Sequence, residues 1–464
     1  MFVKHKIMAA FYNRTTEKKR LRRALSRERR QLIVVYGRRR CGKSTLLRQF
    51  SGDQHSYFLA SQSDAAFQRQ QLLDLLSTRF PALNDAAFRD WGTLLKAVNE
   101  LTQARFTLIV DEFPYLARSA PELPSLIQQL IDDRDALRFD IILCGSSQQM
   151  MRGLALEATA PLYGRADEIV KIEPLAAGWL NHHLPDETPA QRINEYAVWG
   201  GVPRYWELRS DYDSFEEAIK TLLLSPSGTL HEEPNRLLLD DMRDTVHSAS
   251  LLALIAGGVN KVSEIGARLG KPATSLMRPL AKLIELGYVY REVPYGAKAK
   301  NRKGNLYRIA DPFMRFHYLF VFSNLSKLHP GQLDVVWARF SLRMPGFVAE
   351  EWERLCQQAV GLSAPYRTEF YPPARWWGKG KDGKEMEIDL LSTSFEGDKI
   401  LIGECKWSDV KNPARLLKGV LEKARNLPFF NGQEIIPVLT ARRFVHAPDC
   451  DGFTPLRVLK ALEI

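Results

Sequence analysis

Cysteine is scarce in this sequence. The five present (Cys41, Cys144, Cys356, Cys405 and Cys450, in 464 residues) lie far apart and make no C-x-x-C. That spacing excludes a zinc frame and a disulfide scaffold and points to a reducing compartment, the cytoplasm. No apolar run approaches the ~18 residues that a bilayer span needs. The start, Met1-Phe2-Val3-Lys4-His5-Lys6, has no signal-peptide hydrophobic stretch. No membrane partner is expected. Internal repeats and long low-complexity tracts are absent. Acid is in deficit: 65 Lys+Arg stand against 54 Asp+Glu, a formal +11, which favours polyanionic partners such as nucleotides or nucleic acid. Length and apolar content suit two to four globular domains.

What is present begins at Leu32-Ile33-Val34-Val35-Tyr36, a buried strand by pattern. It runs into Gly37-Arg38-Arg39-Arg40-Cys41-Gly42-Lys43-Ser44-Thr45. Gly37, Gly42, Lys43 and Ser44 fit the phosphate loop G-x-x-x-x-G-K-[ST]. Gly37 lets the chain leave the strand sharply, and Gly42 lets amides close on phosphate oxygens with no Cβ in the way. Lys43 would reach the β- and γ-phosphates of ATP, and the Ser44 hydroxyl would ligate Mg²⁺. A dense run of arginines precedes the loop (Arg14, Arg20, Arg22, Arg23, Arg27, Arg29, Arg30). It reads either as a solvated helix face or as a phosphate contact, with Phe11–Arg14 placed to pack on an adenine.

A second strand, Phe106–Val110, ends in Asp111-Glu112. Beside a phosphate loop, Asp111 would hold Mg²⁺ and Glu112 would orient the attacking water. A third strand, Phe139–Cys144, ends in Gly145-Ser146-Ser147, and the region 57–105 between the first two reads as helix-rich. Tyr163-Gly164-Arg165 and Gly200-Gly201-Val202-Pro203-Arg204 each set an arginine after a glycine turn, suited to phosphoryl charge or to bracing a loop. From Tyr36 to Arg204 the pattern resembles the AAA+-like ATPases of archaea and bacteria. The resemblance implies that Ser146 or Ser147 senses the γ-phosphate. It also implies that Arg165 or Arg204 is a finger or sensor arginine, without deciding which.

Residues 245–309 read as a winged helix-turn-helix. Three helical segments end at Gly287, and two short strands, Tyr288–Tyr290 and Leu306–Ile309, flank a loop carrying Lys298, Lys300, Arg302 and Lys303. Pro279 falls inside the third helix and should kink it. The aromatic stretch 309–330 reads as a buried connector.

The last ~130 residues carry a second constellation. Met386–Leu391 and Lys399–Trp407 read as strands joined near Glu396-Gly397. An even-length loop there sets Asp389 opposite Glu404, and Glu404 shares a face with Lys406. Two carboxylates for Mg²⁺ and one ammonium on one surface suit phosphodiester hydrolysis, with Glu350 or Glu351 on the preceding helix as a further ligand. This resembles the PD-(D/E)xK restriction-endonuclease-like fold and the C-terminal domain often fused to these ATPases. In that resemblance Asp389, Glu404 and Lys406 are catalytic and Glu350 is the helical acid. Trp376, Trp377, Lys379, Lys381 and Lys384 would form either a nucleic-acid edge or a solvated loop.

The expected fold is therefore α/β. A P-loop parallel sheet with flanking helices (1–210) is followed by a helical winged-helix domain (211–330) and an α/β restriction-endonuclease-like domain (331–464). The expected function is ATP hydrolysis coupled to DNA binding and a Mg²⁺-dependent nuclease, with a homo-oligomer among the expected partners. The alternative is an ATP-dependent regulatory switch or transcription regulator with an inactive nuclease-like domain.

Overall fold

The computed structural model describes residues 11–50, 54–242, 244–297 and 304–464. The loop basic residues Lys298, Lys300, Arg302 and Lys303 lie outside that set. The chain forms two compact units. One runs to Pro174 and takes in Asp240–Met242, and the other takes the rest from Leu175 onward.

The first unit is built on five strands: β1 (Leu32–Tyr36), β2 (His55–Leu59), β3 (Thr107–Asp111), β4 (Asp140–Gly145) and β5 (Glu168–Lys171). All pair in parallel, in the order β2-β3-β4-β1-β5. Strands buried on both faces need continuous apolar sequence, which is why β1, β3 and β4 were legible. β2 and β5 sit at the edges and are only partly buried, so their sequence carries a weaker signal, and β2 overlaps the start of the stretch read as helix-rich. Helices Trp91–Leu101 and Leu123–Asp132 turn Trp91, Leu94, Val98, Ile127 and Ile131 into the same core as Leu108, Val110, Ile141 and Leu143.

The arginine-rich segment resolves into the helix Thr15–Leu25 and its sequel, and several of its charges are internally partnered. Arg20 pairs with Glu168, and Arg29 with Asp167. Arg14 is 4% exposed and sits beneath the phosphate loop. Its guanidinium donates to the carbonyls of Cys41 (3.1 Å) and Glu173 (2.6 Å).

In the second unit, helices Thr245–Ala256, Val262–Leu269 and Ala273–Glu285 are followed by the antiparallel pair β6 (Val289–Glu292) and β7 (Leu306–Ile309). The third helix runs on through Pro279, which lies inside it. The carbonyl that loses its donor there belongs to Ser275, a solvent-exposed residue, where water can take the donor's place. Phe313, Phe316, Tyr318 and Phe320 of the aromatic stretch are buried.

The 30-residue helix Leu333–Leu362 leads to a second sheet. Its strands are β8 (Ala374–Lys379), β9 (Glu385–Thr393), β10 (Lys399–Val410), β11 (Glu434–Phe444) and β12 (Asp451–Phe453), in the order β12-β11-β10-β9-β8. The β8-β9-β10 half is antiparallel and the β10-β11-β12 half parallel. The helix Pro413–Asn426 crosses between β10 and β11 and closes a core of Trp376, Ile388, Ile400, Ile402, Val420 and Leu439. Trp376 is thus structural, and the Lys381 ammonium donates to the carbonyl of Phe430.

Candidate functional site

In a parallel sheet every strand delivers its carboxyl end to the same edge. Here Tyr36 of β1, Asp111 of β3 and Gly145 of β4 arrive together. The loop after β1 has the backbone that its glycines permit. Gly37 has φ +151° and sits against the backbone of Ile172, where an added Cβ would lie 2.3 Å from the carbonyl oxygen. Gly42 has φ +89°, and Arg40 also takes positive φ. Lys43 is 5% exposed, and its ammonium folds onto the loop's own carbonyls at Gly37 and Arg38, 2.9 Å from each. An anion entering the loop meets a lysine already held at its centre.

Asp111 is fully buried. Burial pushes its carboxyl up, but hydrogen bonds from Ser44, Tyr57, Cys144 and the Glu112 amide outweigh that and hold it below the usual carboxylate range. Asp111 is therefore an anion at neutral pH, with Ser44 near enough to help hold it so. A hydroxyl and a carboxylate side by side are the hard oxygen donors that Mg²⁺ takes alongside nucleotide phosphates, so the residues present fit that ion. Tyr57, on the neighbouring strand β2, donates its hydroxyl to Asp111. Burial, followed by the Asp111 carboxylate, pushes the Tyr57 phenol well up, and it stays a donor. Tyr57 was hidden in the stretch read as helical, where the in-out alternation of His55–Leu59 was its only signal.

Glu112 has φ +54°, a conformation a side chain adopts reluctantly. Its carboxylate accepts from the Ser146 hydroxyl (2.9 Å) and amide (3.2 Å). Ser147 caps the helix Gln148–Ala155 and donates its hydroxyl to the Asp240 carbonyl at 3.0 Å. Arg39 pairs with the Asp240 carboxylate at 3.3 Å. The loop, both acids and both serines therefore form one connected edge. Arg165 is not part of it. It leads into the amino end of β5, where Glu168 pairs with Ile33 at the start of β1, one strand length of roughly 13–17 Å from the loop edge. There it forms a two-pronged pair with Asp132. Topology removes Arg165 from the phosphate loop of its own chain. Arg204 belongs to the other unit, exposed and paired with Glu207.

The second constellation lies on two successive strands. β9 and β10 pair Thr393 with Ile400 through Leu390 with Gly403, and the β8–β9 register shifts between Leu391 and Ile388, so the β9–β10 ladder stops one residue short of Asp389 and Glu404. The connecting loop has four residues, Phe395–Asp398, closed by Ser394 and Lys399. The Cys405 amide donates to Asp389 at 2.8 Å. Glu404 is held by two ammoniums, Lys406 at 2.6 Å and Lys423 at 2.7 Å. Burial, then the Glu404 charge, raise the Asp389 carboxyl. Burial raises Glu404 too, but the two lysines prevail and hold it low.

Glu350 requires a correction. Its oxygens are taken by Arg308 and Arg315, which places it in a structural ion-pair cluster. One turn along the same helix, Glu353 lies near enough to Asp389 to feel its charge. Burial and the Asp389 charge raise its carboxyl to about 8. Gln357, one turn on, donates to the Asp389 carbonyl at 2.9 Å, which fixes this face of the helix against β9. A helix face is decided by packing, and the three-residue difference between Glu350 and Glu353 was not legible without it. Among the described residues no three His, Cys, Asp or Glu side chains converge as a metal cage. Asp389 with Glu353 offers two carboxylates, which suits an ion completed by substrate oxygens and water.

A strand running into a glycine loop at the carboxyl edge of a five-stranded parallel sheet, with an acidic strand end beside it, defines the first unit as a P-loop ATPase fold. The comparisons with known proteins agree. Residues 11–204 match a family described as an ATPase domain predominantly from Archaea, and residues 317–416 match a family of archaeal and bacterial proteins of unknown function. The chain thus carries an archaeal-type ATPase domain followed by a second, separate family match. An uncharacterized protein of Methanocaldococcus jannaschii is 29% identical over 412 residues, 87% of this chain and 88% of the relative. A solved Walker-type ATPase of Pyrococcus abyssi is 20% identical with a TM-score of 0.50, over 66% of this chain and 96% of that one. At that identity the likeness is one of fold. Among the described residues no helix is long and apolar enough to cross a membrane.

Proposed function

We propose that the chain binds and hydrolyses ATP at the edge formed by Gly37–Thr45, Asp111, Glu112, Ser146 and Ser147. The observation that carries this is the buried Asp111 at the strand end beside the loop, with the Lys43 ammonium held at the loop's centre. The loop amides and Lys43 would bind the β- and γ-phosphates. Ser44 and Asp111 would hold Mg²⁺, whose chemistry is to neutralise charge on the transferring phosphoryl group. Glu112 would orient the attacking water after leaving Ser146, and the freed Ser146 hydroxyl would face the γ-phosphate. Arg39 and Ser147 would exchange Asp240 for nucleotide. A transition-state arginine, if Arg165, would come from a second copy of the chain. The direct test is ATP turnover by the full chain: Lys43→Ala should lose it by 100-fold or more, and retention of wild-type turnover would remove the phosphate-loop assignment.

We further propose that the later domains act on nucleic acid in the cytoplasm, with the three-part division at 210 and 330. Three helices and a β-hairpin in that order support a winged helix, and its third helix exposes Thr274, Ser275 and Arg278 as a surface for DNA. Asp389 tied to the Cys405 amide next to Glu404, the neighbouring Lys406 and the helical Glu353 support a Mg²⁺-dependent nuclease. Asp389 and Glu353 would hold the ion, and Lys406 would steady charge on the phosphate. The expected outcome is plasmid nicking in Mg²⁺ or Mn²⁺ that falls by 100-fold or more in Asp389→Ala; nicking that persists unchanged in that variant is contamination. One observation favours the second reading, an ATP-dependent switch with an inactive domain: both Glu404 oxygens are already neutralised by lysines.

A further inference from the structure

Next to the carboxylate pair lies a cavity of about 360 Å³, lined by Glu404, Lys406, Arg415 and Lys423 over a floor of Val410, Leu416 and Val420. Nothing in the proposed hydrolysis uses Arg415, and its guanidinium makes no ion pair or hydrogen bond among the described residues. Three cations face one carboxylate, so the lining carries a net of two positive charges. Lys406 and Lys423 each hold one Glu404 oxygen, at 2.6 Å and 2.7 Å, and each ammonium keeps further donors for a second anion. Arg415 stands in the first turn of the 14-residue helix Pro413–Asn426, whose cap Asn412 also lines the cavity. That turn adds the positive end of the helix to the same side. Opposite charge surrounds the opening, the apolar floor offers contact to a sugar, and the volume exceeds what a bare phosphate fills.

We propose that this cavity is a phosphomonoester site, in which Lys406, Lys423 and Arg415 hold the dianion and Val410, Leu416 and Val420 support the attached sugar. The ligand is the terminal phosphate of a nucleic-acid strand, which would place the strand end beside Asp389 and Glu404. The strand as source rests on the nucleic-acid reading above; the anion site does not. A free nucleoside monophosphate shares the chemistry and is the alternative source.

The test uses the full chain, in EDTA and without ATP. Fluorescence anisotropy follows a 3′-labelled single-stranded DNA 12-mer, with and without a 5′-phosphate. Charge-assisted hydrogen bonds of this kind predict roughly tenfold tighter binding of the phosphorylated strand. The preference should vanish in Arg415→Ala, which breaks no existing contact, and in Lys423→Met, while binding of the unphosphorylated strand stays unchanged. Thymidine 5′-monophosphate should compete only at much higher concentration. If it competes as well as the phosphorylated strand, the source is the free nucleotide and the strand assignment is overturned. No strand binding, no 5′-phosphate preference, or a preference that survives both variants overturns the site. A chain that shows the preference but never nicks plasmid retains the phosphate site and loses the nuclease reading.

Discussion

The phosphate loop gathers charged groups at the carboxyl edge of one sheet and the Asp389–Glu404 pair gathers them midway along two strands of the other, and they are built differently. In the first, nine consecutive residues carry most of the design. Backbone amides and one lysine do the binding, and a parallel sheet must bring Asp111 to the same edge. In the second, the groups come from two antiparallel strands and two helices, and each helix contributes one residue whose rotation only packing decides. A loop motif survives reading as a string, whereas a cross-strand site depends on a register and on helix faces.

Glu350 and Glu353 break or sharpen this comparison most directly. Glu353→Gln should lower divalent-dependent nicking by about 100-fold, whereas Glu350→Gln should retain it and lose only about 1 kcal/mol of stability, the order of a partly exposed ion pair. The reverse pattern would restore the sequence assignment. Glu353 also makes a stability prediction. Its folded carboxyl titrates near 8, above the unfolded value of about 4.3. Below about pH 4 both states are neutral and the group costs nothing. As pH rises from there the unfolded chain ionises first, and the folded state is penalised up to about pH 8. With discount for partial exposure that penalty is ~1–3 kcal/mol. Glu353→Gln should therefore melt several degrees higher than wild type at pH 8.5 and together with it at pH 4. Equal melting at both values would show that the carboxyl is not held neutral.

Smaller effects are expected at the first site. Tyr57→Phe removes the donor that orients Asp111, so the Mg²⁺ concentration for half-maximal ATP turnover should rise several-fold, with little change in nucleotide affinity. An unchanged Mg²⁺ dependence would make Tyr57 a packing residue only. The mildest change is Asp240→Ala. Freed from that carboxylate, Arg39 should bind nucleotide about two- to threefold more tightly, read by titration with a fluorescent ATP analogue. Weaker binding would show that Asp240 supports the loop instead of competing at it.

Residue order alone determined the loop, the strands that feed it and the acidic strand end, because local backbone geometry and unbroken apolar runs leave few alternatives. It also put Asp389 and Glu404 on two successive strands, whereas the bond from the Cys405 amide to Asp389 follows from the folded backbone. Tertiary structure decided the rest. The edge strand β2 brought Tyr57 to Asp111, the amino edge of the sheet took Arg165 away, and the rotation of one long helix turned Glu350 onto Arg308 and Arg315. Neighbours fix a side chain's face, and those neighbours are distant in sequence.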